Sequence, residues 1–256
     1  MSWFESPSRR MVMRLSLSVQ LTDDLTGTPV RGSNARVWIE GQKPAIVKPD
    51  GRYVFVDVPE GEYTVNAEGG LYYHTGVRCR ISEGRAENIT VRLLPNKQYP
   101  VPDGAVCIEG KTSPDTAVRI YSTNKAAAYK LLSDTEKGST VIGIYHAAGV
   151  NIEGKLLRII SPKDTGEYIR ILSAINEERS EYRLADELGG SFPKIGTVIV
   201  PVSECISDGN GEFMLLLRKG NASGTELICG IQTDNGETEK KIVISGTNHI
   251  KADLTI

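Results

Sequence analysis

A chain of 256 residues is long enough to bury one large β core or two of ordinary size. With 30 Lys and Arg against 32 Asp and Glu, a formal net charge of −2 and no basic or acidic block, it lacks the electrostatic drive that nucleic acids and anionic membranes require. Four cysteines, Cys79, Cys107, Cys205 and Cys229, stand far apart without Cys-x-x-Cys pairs. They are expected as buried thiols, with Cys205 and Cys229 the one disulfide left open.

The N-terminal stretch "MSWFESPSRRMVMR" carries Arg9 and Arg10, but the apolar run behind them stops at Arg14, so no signal-peptide core forms. No segment approaches the roughly 18 uninterrupted apolar residues of a membrane span. Synthesis in the cytoplasm without a leader, as a free protein or as part of a particle, is the expectation. Trp3 and Phe4 stand in this polar arm, residues 1–13, where two large rings either pack on the parent domain or anchor a protein partner.

Leu15, Leu17, Val19 and Leu21 alternate with Ser16, Ser18 and Gln20, which predicts an antiparallel strand with one solvated face. Ala35, Val37 and Ile39 repeat the alternation after a turn-rich loop. "PDG" at Pro49 to Gly51 and "PEG" at Pro59 to Gly61 then supply corners on either side of Tyr53 to Val58. "YYHTGVRCRI" and "ENITVRLLP" follow. Seven short strands with regular turns predict a β-sandwich over residues 14–94.

Pro95, Pro100 and Pro102 break the pattern and predict an extended linker over residues 95–104. Beyond it, "NKAAAYKLLSDTEKG" fits either a helix on Ala127, Leu131 and Leu132 or a strand with a long loop. Apolar strands then alternate with polar connectors as far as Val202. Among them "INEERSEYRLADELGG" predicts a short amphipathic helix through Leu184 and Leu188 that ends at Gly189.

"SDGNGEFMLLL" repeats "KPDGRYVFVDV", with Gly211-Glu212-Phe213 standing where Gly51-Arg52-Tyr53 stands. The strands behind each turn also correspond, which predicts a duplication whose second copy is enlarged by some sixty inserted residues. The fold expected is all-β: two antiparallel sandwiches in tandem, the second over residues 105–256 with an insertion that holds one short helix.

The residues Pro29, Val30, Gly32 and Val37, then Asp50, Gly51, Tyr53, Val58, Pro59, Gly61, Tyr63 and Val65, fill a pattern that resembles the carboxypeptidase regulatory-like, or transthyretin-like, domain. That resemblance implies an Ig-like seven-stranded sandwich used as a scaffold or contact module, without an active site of its own. A proline-rich bridge such as "LLPNKQYPVPDGAV" behind such a domain also resembles baseplate-associated parts of phage-tail-like contractile machines.

No catalytic signature accompanies this frame. His74, His146 and His249 have no second ligand at local spacing, so no metal or cofactor is expected. Asp208, Asn210 and Glu212 resemble the start of a calcium loop, but the closing glutamate is missing and a hairpin corner accounts for them. Two readings follow. The first is a non-enzymatic structural protein that touches other protein subunits through Trp3, Phe4 and Tyr99. The second is a carbohydrate-binding module using Tyr72, Tyr73 and His74, since one of two alternating tyrosines faces outward. A hydrolase built on an acid pair stands third.

Overall fold

The computed structural model describes residues 13–31, 35–122, 128–162, 166–176, 178, 180–217, 226–233, 236–243 and 249–253. All regular structure among them is extended. No described helix is long and apolar enough to cross a membrane.

The first seven strands are β1 (Leu15–Asp23), β2 (Ala35–Ile39), β3 (Ile46–Val47), β4 (Tyr53–Val56), β5 (Gly61–Gly69), β6 (Tyr72–Ile81) and β7 (Glu87–Leu93). They form two sheets, ordered β3-β4-β1-β7 and β2-β5-β6. Leu17, Val19 and Leu21 of the first sheet meet Val37, Val65 and Val77 of the second in one buried cluster, as a β-sandwich requires. The face of β1 expected to be solvated is partly covered, since Ser16 and Ser18 are buried. Ser16 stays satisfied there because its Oγ accepts the Val58 amide at 3.0 Å.

The next eight strands are β8 (Val106–Lys111), β9 (Ala117–Ser122), β10 (Tyr129–Leu131), β11 (Val141–Tyr145), β12 (Leu156–Ile160), β13 (Gly166–Asn176), β14 (Glu181–Leu184) and β15 (Val198–Ile206). The last four are β16 (Glu212–Leu217), β17 (Glu226–Thr233), β18 (Gly236–Val243) and β19 (His249–Asp253). Here the pairing of the first half recurs. β1 pairs antiparallel with β4 and parallel with β7; β8 pairs antiparallel with β16 and parallel with β19. The order β2-β5-β6 likewise returns as β9-β17-β18. Gly51 and Gly211 hold the same place in the two turns with φ of 88° and 77°, a conformation that favours glycine. The aromatic two residues on, Tyr53 or Phe213, is buried in its own core.

Between β9 and β16 the chain builds a different object. β10 pairs with both β11 and β15, so the order β10-β11-β14-β13-β12-β15 closes on itself as a six-stranded barrel. Ile142, Ile144, Leu157, Ile159, Ile171 and Ile199 fill its interior, as side chains do in small barrels. The helix expected near Leu184 is therefore strand β14, flanked by β11 and β13. Leu184 and Leu188 both reach the barrel core, one from the strand and the other from the turn behind it, which mimics helical spacing. At Tyr129–Leu131 the strand alternative holds, while residues 123–127, including Ala127, lie outside the described residues.

β15 serves both bodies. Val198 to Val202 pair with β12, and Val202 to Ile206 pair with β9. Pro201, which has no N–H to give, sits where the strand exchanges β10 for β9. The disulfide left open between Cys205 and Cys229 does not form, and both thiols are free and buried. β9 runs between them, with Cys205 opposite Val118 and Cys229 opposite Ile120. Two strand spacings, about 9.5 Å, exceed the roughly 7 Å Cα separation a disulfide can bridge. Burial pushes the Cys229 thiol up to about 12, and in this acid form it packs as a small apolar group.

Candidate functional site

The tyrosines expected to meet a ligand or partner converge on the junction between the two sheet pairs. The proline-rich stretch folds back on the start of β6: the Tyr73 amide donates to the Leu94 carbonyl at 2.9 Å, and the Asn96 amide to Leu71 at 2.9 Å. This puts Tyr99 beside Tyr72, with ring centroids 5.8 Å apart. Both hydroxyls donate to Asp23 Oδ2, at 2.9 Å from Tyr72 and 2.8 Å from Tyr99. Asp23 is 3% exposed, and its second oxygen accepts the Thr26 amide. Its charge is thus spread over three donors in place of a cation.

Tyr73 points the opposite way, as strand alternation requires, and packs on the core of the second sheet pair. Its hydroxyl lies 3.4 Å from the Met214 carbonyl and 3.2 Å from the Met214 amide. β16 is an edge strand, where β3 has no described counterpart, so Tyr73 satisfies backbone groups that an open edge would expose. Lys97 Nζ completes the joint with Asp208 at 2.8 Å and Glu212 at 2.6 Å. Asp208 Oδ1 meanwhile caps the hairpin by accepting the Asn210 and Glu212 amides. Of the residues that suggested a calcium loop, the Asp208 and Glu212 carboxylates are engaged by Lys97, and Asp208 also by the turn.

Neither Tyr72 nor Tyr73 therefore offers an unengaged hydroxyl to a sugar, and Tyr99 is spent on the same internal lock. His74 alone of the four remains exposed, on the outer face of β6, its ring 5.7 Å from Trp38. One face of Trp38 is covered by Arg36 at 4.6 Å. Trp3 and Phe4 lie outside the described residues. His146 bonds Tyr182 and the Ala147 carbonyl at the barrel. Among the described residues no group of three or more His, Cys, Asp and Glu is placed to hold a metal ion.

The lock carries a pH signature. Burial first, and then the bond to Asp23, push the Tyr99 phenol from 10.0 up to about 12; the same causes raise Tyr72. A raised pKa leaves the folded-state contribution intact below the ordinary value and loses it as pH rises through the folded one. Stability is expected to fall from about pH 10 upward, with a shallower slope in Tyr99→Phe. Urea denaturation at stepped pH reads both, and identical slopes would show that these phenols titrate alike in the folded and unfolded chain.

A second feature was not visible in the sequence. The barrel leans on β7, and between them opens a cleft of about 660 Å³ walled by β5, β6 and β7 on one side and β11, β13 and β14 on the other. Leu172 of β13 enters the core of the first sheet pair. Arg183 of the barrel pairs with Glu87, and Arg78 with Asp186 at 3.1 Å. Below the cleft, Arg92 Nε donates to the Glu153 carbonyl at 2.7 Å and Nη2 to Asn151 at 2.9 Å. Gly154 lies so close to β7 that a Cβ there would stand 2.6 Å from the Thr90 carbonyl oxygen.

A third cluster lies where barrel meets sheet. Arg158 pairs with Glu237 at 3.2 Å and Glu239 at 2.9 Å, and Glu204 joins Arg119 to Arg170. Tyr168 donates to Glu237 and Tyr121 to Glu239, with burial first raising both phenols. Each carboxylate in this cluster already meets an arginine, an arrangement that fixes register between strands.

The chain matches no family model and no curated protein. Among solved structures it is similar to a shaft pilin from Lactobacillus rhamnosus GG, at 9% identity and a TM-score of 0.23 over 94% of this chain and 96% of that one. It is also similar to the Bacillus anthracis TIE protein, at 11% identity and a TM-score of 0.27 over 94% of this chain and 51% of that one, so it spans about half that protein's length. An endo-fucoidan hydrolase of glycoside hydrolase family 107 aligns at 10% identity and a TM-score of 0.16, over 97% of this chain and 30% of that one. Scores of this size carry nothing of those proteins' roles to this chain.

Proposed function

We propose that this chain is a non-enzymatic structural protein that acts by contact with other protein subunits. In this reading it is two related β-sandwiches, residues 14–94 and 105–256, joined by the 95–104 linker, with the barrel inserted in the second. The supporting observation is the recurrence of one pairing scheme in β1, β4, β7 and in β8, β16, β19. The titratable clusters described above are ion-paired, turn-forming or, at Asp23, held by two phenols and a backbone amide, as befits a scaffold.

The barrel's outer face offers a contact surface: Leu132 lies over the bare backbone of Gly143, with exposed Val141 and Tyr145 on the same strand. An apolar group of this kind, rimmed by charge, suits a protein partner. The finer placement, in a phage-tail-like contractile injection apparatus, rests on the resemblance of the proline-rich bridge and its preceding domain. Native pull-down of the full chain is the test, run beside a version lacking residues 1–10 and a Tyr145→Ser, Leu132→Ser double variant. A partner that co-elutes with the full chain and is lost in either variant supports the reading. Retention of nothing by the full chain overturns it.

A further inference from the structure

Tyr72 and Tyr99 share more than a contact. Their ring centroids lie 5.8 Å apart with the planes tilted by 58°, within the range of packed aromatic pairs. Both hydroxyls end on one atom, Asp23 Oδ2, at 2.9 Å and 2.8 Å, so the rings converge at their hydroxyl ends. The carbons ortho to each hydroxyl, where a phenoxyl radical carries spin, flank those ends. Both side chains are half-buried, so a small diffusible oxidant reaches them. Tyr121 and Tyr168 are the contrasting case: their hydroxyls go to different carboxylates, Glu239 and Glu237, and the Arg158 guanidinium lies over each ring at 4.9 Å. A cation there opposes the loss of an electron from either ring.

We propose that Tyr72 and Tyr99 are a modification site, joined by a one-electron oxidant into a dityrosine that staples β6 to the proline-rich stretch. Each phenol loses one electron to the oxidant and its O–H proton to Asp23 Oδ2, which stands at the distance a proton acceptor requires. The carboxyl releases the first proton to solvent before it takes the second. The two phenoxyl radicals couple through one ortho carbon of each ring, which forms a C–C bond. The ortho hydrogens then move to the oxygens and restore both phenols. Two tyrosines and two oxidant equivalents thus give one biphenol, two protons and two reduced equivalents. Burial keeps both phenols protonated at neutral pH, so a base already in place lets the electron leave without stranding a charged radical. The bond fixes the fold-back in which the Tyr73 amide meets Leu94 and the Asn96 amide meets Leu71, and it restricts the unfolded chain as a disulfide does. It forms within one molecule and does not depend on any partner.

The test illuminates the full chain with tris(bipyridine)ruthenium and persulfate, then maps the product by intact mass and peptide mass spectrometry. The expected product is a monomer lighter by two hydrogen atoms, with the blue emission of a biphenol, whose digest links the peptide of Tyr72 to that of Tyr99. Tyr72→Phe and Tyr99→Phe are each expected to remove the link, and Tyr145→Phe, on the exposed barrel face, to leave it. Asp23→Asn keeps an oxygen for the hydroxyls but takes no proton, so the yield at a fixed light dose is expected to fall several-fold. The linked monomer is expected to melt several degrees above the parent. Oxidation of Tyr145 with Tyr72 and Tyr99 left unlinked in the native chain overturns the proposal. A link that forms as fully in the urea-unfolded chain as in the folded one overturns it as well, because the shared carboxylate then counts for nothing.

Discussion

Replacing Gly154 with alanine is expected to loosen the barrel from β7 and to cost about 2–5 kcal/mol, the sum of left-handed backbone strain and overpacking. Gly154 has φ of 73°, where an L side chain is strained. Its new Cβ would meet the Thr90 carbonyl oxygen at 2.6 Å and Arg92 Cγ at 3.0 Å. A carbonyl in a paired strand cannot retreat as a flexible side chain can, so the loop has to lift. The change falls on docking and on one barrel strand, β13, because the Gly154 amide donates to the Ile171 carbonyl at 2.8 Å and the Lys155 carbonyl accepts the Ile171 amide at 3.0 Å. Hydrogen exchange should therefore rise along β7, at 151–155 and at Ile171, while β12, held between β13 and β15, stays protected. A calorimetric transition unchanged from the parent would mean that the close approach does not exist in solution.

Arg92→Ala is the companion case, with an expected loss of about 3–5 kcal/mol, the range for removing one partner of a buried charged pair. Arg92 is 5% exposed, and its planar fork reaches two carbonyls of the barrel loop and, at 3.4 Å, Asp24. Lysine is expected to rescue little, because one ammonium cannot reproduce a fork aimed at two carbonyls on the same turn. Since both substitutions release one loop, combining Arg92→Ala with Gly154→Ala should cost less than the two added together. Urea denaturation of the four proteins in the cycle measures the coupling, and strict additivity would show that the two residues hold separate contacts.

The turns were the most legible part of this chain. Asp-Gly and Asn-Gly corners have few conformations open to them, so Gly51 and Gly211 announced the hairpins and, through Tyr53 and Phe213, the repeat behind them. Closure of the barrel was not legible. It depends on Tyr129 meeting Ile199 across the whole insertion, and period-2 alternation tells which face of a strand is buried without telling which strand lies beside it. The helix expected at Leu184 and Leu188 failed because burial at both positions satisfies either period when a turn intervenes.

At the candidate site, alternation placed Tyr72 and Tyr73 on opposite faces, as observed. What it could not show is that both faces of β6 are covered at that end, one by Asp23 and Tyr99, the other by the edge of β16. Two of these partners are distant in sequence, and one is a backbone group with no signature at all. The cleft was hidden for the same reason. Arg78, Glu87, Arg183 and Asp186 read singly as solvated surface charges, and only packing turns them into pairs.

The sharing of β15 bears on modularity and on mechanical load. Its nine residues finish the barrel at one end and flank β9 at the other, so no cut at element boundaries removes the inserted body and leaves the β9-β17-β18 sheet with the same neighbour. Tension applied to either body passes along a single backbone. It meets hydrogen-bond ladders in shear on both sides, where a flexible tether would let the two be pulled apart one rung at a time.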